Sequence, residues 1–156
     1  MGDTRKQREA LALPAGTVLR CGGVRWTLGG AVCQGGSCLF YRAAREDSAL
    51  PFGIKECCPR ELSGRLIRRD GVLTGVDGAA DAALAQARAR MAAEAEISQR
   101  VAAVSQRALP VLEAPGAAAV DVGRGERAAP AGSFLLLRQV SQGGLFLPQL
   151  LEACSR

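Results

Sequence analysis

A chain of 156 residues is long enough for one domain with a real core and too short for two generous ones. Its 48% apolar and 22% charged content is that of an ordinary globular protein, and its longest strongly apolar run, Phe134 to Leu137, falls far short of the roughly 18 residues that a membrane-spanning helix needs. The net charge of +5 permits an anionic partner, but dispersed basic residues and only 4% aromatics argue against a nucleic-acid surface.

The chain opens on "MGDTRKQREA", which is polar and charged and does not read as a signal peptide or membrane anchor. Residues 1–12 are expected to form a flexible N-terminal segment, with a folded unit over 13–156. Lys6 stands where a myristoylation signal needs Ser or Thr. The six cysteines, Cys21, Cys33, Cys38, Cys57, Cys58 and Cys154, form no paired CxxC modules, and the chain has no histidine, so a zinc site is not expected. Reduced thiols in a cytoplasmic protein are the simpler expectation.

"LPAGTVL" (Leu13 to Leu19) is a Pro-Gly turn running into an apolar segment. From Val24 to Ala44, "VRWTLGGAVC", "QGGS" and "CLFYRAA" read as two strands around a glycine-containing turn, and "PFGIKEC" follows as a third strand. Residues 58 to 80 read as an irregular connection with a small hairpin or turn. Asp81 to Ala103 is an alanine-rich run without Gly or Pro and predicts one long helix, with Asp81 as its N-cap. Its inward stripe contains Leu84, Ala87 or Arg88, Met91, Glu94 or Ala95, Ser98, and Val101 or Ala102. Glu96 is turned about 200° from Glu94 and should face solvent. Glu94 on the stripe needs a partner, since an unpaired buried carboxylate is costly; the alternative is Glu94 at the stripe's edge, paired with a neighbouring arginine. "ALPVLEA" predicts a strand, "PGAAAVDVGRGERAAPAG" a loop with a short strand at 117–122, "SFLLLRQV" a buried strand, and "LFLPQLLEACSR" the start of a helix.

Of the 20 basic residues only Lys6 and Lys55 are lysines, so arginine is the default cation and Lys55, inside "PFGIKECCPRE", stands out. Taken alone it reads as a strand residue whose stem lies on the sheet and whose ammonium reaches water. Its surroundings suggest more. "CQGGSCLFY", "FGIKECCPRE", "MAAEAEISQRV" and "FLLLRQVSQGGLF" resemble, in order, the glycine-rich loop, lysine strand, regulatory helix, and fifth strand with hinge of a protein kinase N-terminal lobe. The resemblance is to bacterial serine/threonine kinases whose lysine strand continues into a "KE…P" segment, and it runs from about Leu13 to the end.

The resemblance implies an α+β fold, a twisted antiparallel sheet of about five strands with one long packed helix. It implies ATP as ligand: backbone N–H groups of the glycine turn over the phosphates, and Lys55 on the α/β-phosphates held by Glu94. Gln34, Gly35, Gly36, Ser37, Phe40 and Gly53 would line the nucleotide, with Leu137 as gatekeeper and Arg138, Gln139 and Val140 as hinge. The pattern departs from GxGxxGxV at Cys33 and Cys38, which replace the first and third glycines, and at Phe40, which replaces a valine; Gly53 replaces the alanine of VAIK. A chain without histidine has no HRD motif, and DFG is also absent, so Mg²⁺ binding and phosphoryl transfer would need a C-lobe. The expected partners are nucleotide and a kinase C-lobe or another protein. The competing expectation is a pseudokinase-like, non-catalytic interaction or regulatory module.

Overall fold

Alternating apolar and polar positions after the Pro-Gly turn build an antiparallel sheet, and the chain is an α+β protein. The computed structural model describes residues 3–34, 36–104, 112–113 and 118–137. Strands β1 (Val18–Cys21), β2 (Val24–Gln34), β3 (Cys38–Arg45) and β4 (Pro51–Cys57) follow one another as a meander. A 3-10 helix (Arg60–Arg65) leads to the hairpin β5 (Leu66–Arg69) and β6 (Val72–Gly75), and then to the long helix α2 (Gly78–Val104). The short helix α1 (Thr4–Leu11) precedes them all. Strands β7 (Leu112–Glu113), β8 (Ala118–Asp121), β9 (Glu126–Ala129) and β10 (Phe134–Leu137) complete the described elements.

The main sheet has eight strands in the order β7-β10-β4-β3-β2-β1-β8-β9, with β5 and β6 as a separate two-stranded ribbon. This is wider than the expected five. β1, β8 and β9 extend the sheet beyond β2, and β9 arises in a stretch whose glycines and charges read as loop. It forms because β8 offers it an antiparallel edge, Ala118 opposite Ala129 and Asp121 opposite Glu126, with Arg20 of β1 bonding Glu126 at 2.7 Å.

Residues 4–11 are helical rather than flexible. Asp3 caps α1 by accepting from the Arg5 N–H at 3.0 Å, and the helix is anchored by buried Leu11 and Arg8. One Arg8 nitrogen donates to the carbonyls of both Cys38 (2.8 Å) and Cys58 (2.9 Å), tying the helix to the start of β3 and the exit of β4.

The long helix starts three residues earlier than expected. Asp77, not Asp81, provides the cap, accepting from the Ala80 N–H at 2.8 Å, while Asp81 accepts from the Gly75 N–H at 2.7 Å and so joins helix to ribbon. Among the described side chains its buried stripe is Ala80, Leu84, Ala87, Arg88, Met91 and Ala95, and the expected Ser98, Val101 and Ala102 lie outside them. The ribbon turns at Asp70 and Gly71, both with positive φ (48° and 77°), the signature of a two-residue turn that suits the strands' twist. Gly71 has a second reason to be glycine: a Cβ there would lie 2.6 Å from Val120 Cγ1 of β8.

Candidate functional site

Side chains alternate across a strand, so β4 sends Gly53, Lys55 and Cys57 to one face of the sheet and Phe52, Ile54 and Glu56 to the other. The two faces have different chemistry.

On the first face, Lys55 meets Glu94 of α2, with Nζ 3.5 Å from Oε1. The lysine side chain is 20% exposed and the glutamate 50%, so the pair sits at the mouth of the seam between sheet and helix. Glu94 lies at the edge of the helix's buried stripe, between Met91 and Ala95, and Glu96 is exposed as expected. Lys55 faces Phe40 across β3 and Leu135 across β10, and both are completely buried. Gly53 stands opposite Arg42 on one side and Leu137 on the other.

The glycine turn closes β2 onto β3 with Gln34 opposite Leu39. Gly36 and Ser37 are exposed, and a Cβ at Gly36 would meet nothing within 4 Å. Their carbonyls accept hydrogen bonds from the chain leaving β4: Cys58 N–H to Ser37 O at 3.0 Å, and Arg60 N–H to Gly36 O at 2.9 Å. These bonds dock the turn on residues 58–60 and leave its own amides uncommitted by them. Gly35, Arg138, Gln139 and Val140, and the C-terminal helix expected from "LFLPQLLEACSR", lie outside the described residues.

The second face holds a buried ionic network that the sequence reading missed. Glu56, 2% exposed, receives both terminal nitrogens of Arg68 at 2.8 and 2.9 Å and the Tyr41 hydroxyl at 2.6 Å. The Tyr41 oxygen accepts in turn from the Leu13 N–H at 3.0 Å, and Arg68 also donates to the carbonyls of Leu11 and Gly71. Burial and the neighbouring Glu56 charge push the Tyr41 hydroxyl well above its ordinary value, so it stays a neutral donor. Burial works to lower the Arg68 guanidinium, but the Glu56 charge and hydrogen bonds overcome it and the net shift is upward. Strand parity held the signal: Glu56 shares its face with Phe52 and Ile54, and an acid on a core face requires a partner.

The thiols of Cys21, Cys57 and Cys58 are buried and held protonated. Burial pushes Cys57 up to about 12 and Cys21 up to about 11, and it raises Cys58 as well. Among the described residues no group of His, Cys, Asp or Glu is arranged to hold a metal ion. No described helix is long and apolar enough to cross a membrane.

Comparison with protein-family models, with curated proteins and with solved structures finds no match to this chain.

Proposed function

We propose that the Lys55 face binds nucleotide, in the manner of the ATP-binding N-lobe of a serine/threonine protein kinase. The observation that carries this reading is the ion pair between the outlying lysine of β4 and Glu94 of α2. The pair lies on the face shared by Phe40 and Gly53. A lysine held by a helix carboxylate can present a compact positive charge to a polyphosphate, and the partly exposed pair can open and re-form without disturbing the core. The glycine turn enters β3 two residues before Phe40 and can offer backbone N–H groups to the same anion. Magnesium would bridge the phosphates and a C-lobe, whose metal-binding motifs this chain does not contain.

A second reading, a non-catalytic interaction or regulatory module, draws on two observations. Phe40 is completely buried where a smaller side chain would leave room for a base, and the turn's carbonyls are already bonded to residues 58–60. Thermal unfolding separates the readings. If nucleotide binds, Mg-ATP at millimolar concentration raises Tm, as any ligand selective for the native state must, and Lys55→Met removes the rise. An unchanged Tm in millimolar Mg-ATP rejects nucleotide binding and leaves the interaction module.

A further inference from the structure

Cys38 and Cys57 have no part in the nucleotide reading, and they stand directly opposite each other on β3 and β4. Both are present as thiols, 5% and 2% exposed. The neighbouring hydrogen bonds show which kind of antiparallel pair they form. The Cys57 N–H donates to the Ser133 carbonyl at 2.8 Å, on the β10 side and away from β3, while the Cys58 N–H turns back to the Ser37 carbonyl at 3.0 Å. The ladder bond therefore belongs to Ser37 and Cys58, and Cys38 and Cys57 are the non-hydrogen-bonded pair beside it.

A pair of this kind brings its Cα atoms to about 4.5 Å and its side chains closer than the hydrogen-bonded kind does. A disulfide spans about 4.4–6.8 Å between Cα atoms, so the register admits the bond at the short end of its range. Alternation puts both sulfurs on the face that carries Lys55 and Phe40. Burial is the main cause of the raised Cys57 pKa, and charge on Cys38 adds to it, as two neighbouring sulfurs require. The adjacent Cys58 is engaged elsewhere, by a hydrogen bond with the Arg8 side chain of α1.

We propose that Cys38 and Cys57 are a reversible redox pair that closes a cross-strand disulfide on reaction with a low-molecular-weight disulfide, RS–SR. Cys38 directly follows the exposed Gly36 and Ser37 and is the sulfur that the reagent reaches first. Its thiolate attacks one sulfur of RS–SR and expels RS⁻. Cys57 then gives up its proton, attacks the Cys38 sulfur of the mixed disulfide and expels the second RS⁻. The two cysteine protons end on the two leaving thiolates, so two Cys–SH and one RS–SR give one Cys–S–S–Cys and two RSH. The cysteines are oxidised and the reagent is reduced. A bond at the short end of its range is strained and more easily reduced than a structural disulfide, which makes the step reversible. Closed, it ties the entry of β3 to the exit of β4, two residues from Phe40 and from Lys55. The proposal does not depend on nucleotide binding.

The test is incubation of the folded whole chain with millimolar oxidised glutathione, then acid quenching, denaturation and alkylation of the remaining thiols. Two of the six thiols are lost, and the intact mass falls by two hydrogens with no glutathione retained. Non-reducing peptide mapping finds Cys38 joined to Cys57, and dithiothreitol restores both thiols. Cys57→Ala stops the reaction at a glutathione adduct on Cys38, whereas Cys21→Ala leaves the bridge intact. Should Cys57→Ala fail to fold, the wild-type peptide map decides the question. Survival of all six thiols, a lasting glutathione adduct in the wild type, or a bridge from either cysteine to another, Cys58 included, overturns the proposal.

Discussion

Lys55 and Glu56 are adjacent on one strand, and they live in opposite physical regimes. Glu56 is 2% exposed and bound bidentately by Arg68 and by Tyr41, so its charge is fully committed to holding α1, β3, β4 and the β5–β6 ribbon together. Among the described residues Lys55 has one charged partner, at 3.5 Å, and that partner is half exposed. A buried, saturated ion pair is structural because removing one member strands the other in a low-dielectric interior. A partly exposed single pair contributes little to stability and so is available to respond to a ligand. Two cation–carboxylate pairs, anchored one residue apart, divide into architecture and candidate function by burial.

The largest expected effect is on the architectural side. Glu56→Gln leaves Arg68 buried beside a neutral partner and should cost about 3–5 kcal/mol, read as a lower midpoint in urea and a fall in Tm of roughly 10 °C. A loss below about 1 kcal/mol would erase the distinction between the two faces.

Alkaline pH asks whether burial, rather than choice of face, sets the rule. In the unfolded chain Cys57 and Cys21 ionise near 9.0, while in the fold they are pushed up to about 12 and about 11. Above pH 9 the unfolded state therefore binds fewer protons than the native state, and stability falls as pH rises through this window. Each thiol contributes a slope of up to about 1.4 kcal/mol per pH unit. Urea midpoints from pH 8 to pH 11 should decline, and Cys21→Ala should flatten the curve.

Gly71→Ala strikes the support of Arg68, whose nitrogen bonds the Gly71 carbonyl at 2.9 Å. The positive φ and the approach to Val120 together should cost about 2 kcal/mol by chemical denaturation. The smallest change in stability belongs to the candidate functional side. Lys55→Met should move the unfolding free energy by less than about 1 kcal/mol while removing the Mg-ATP response. A large loss of stability would make Lys55 a structural residue like its neighbour.

Much of this contrast was legible in advance. The scarcity of lysine singled out Lys55, and helical periodicity put Glu94 on the inward stripe; the buried position there is Ala95, and Glu94 meets Lys55 from the half-exposed edge. Leu84, Met91 and one of Ala87 or Arg88 were read from spacing, and both Ala87 and Arg88 proved buried. The glycine turn and the three strands around it followed from alternation and turn residues, which are local properties. The misses are non-local. α1 is held by Arg8 reaching carbonyls 30 and 50 residues away, and β9 pairs only because β8 presents an edge. Asp77 outcompeted Asp81 for the helix cap because the chain enters from the ribbon, leaving Asp81 to bond Gly75.

The amino-acid sequence by itself determined the class of the molecule, its central strands, its long helix and the two charged residues worth pairing, because period, turn chemistry and residue scarcity are written locally. Tertiary structure alone decided which charges are committed. Glu56 finds Arg68 across 12 positions, Tyr41 lies 15 positions away, and Arg88 reaches the Leu73 carbonyl 15 positions away, because long-range packing determines where each donor ends and what it can reach.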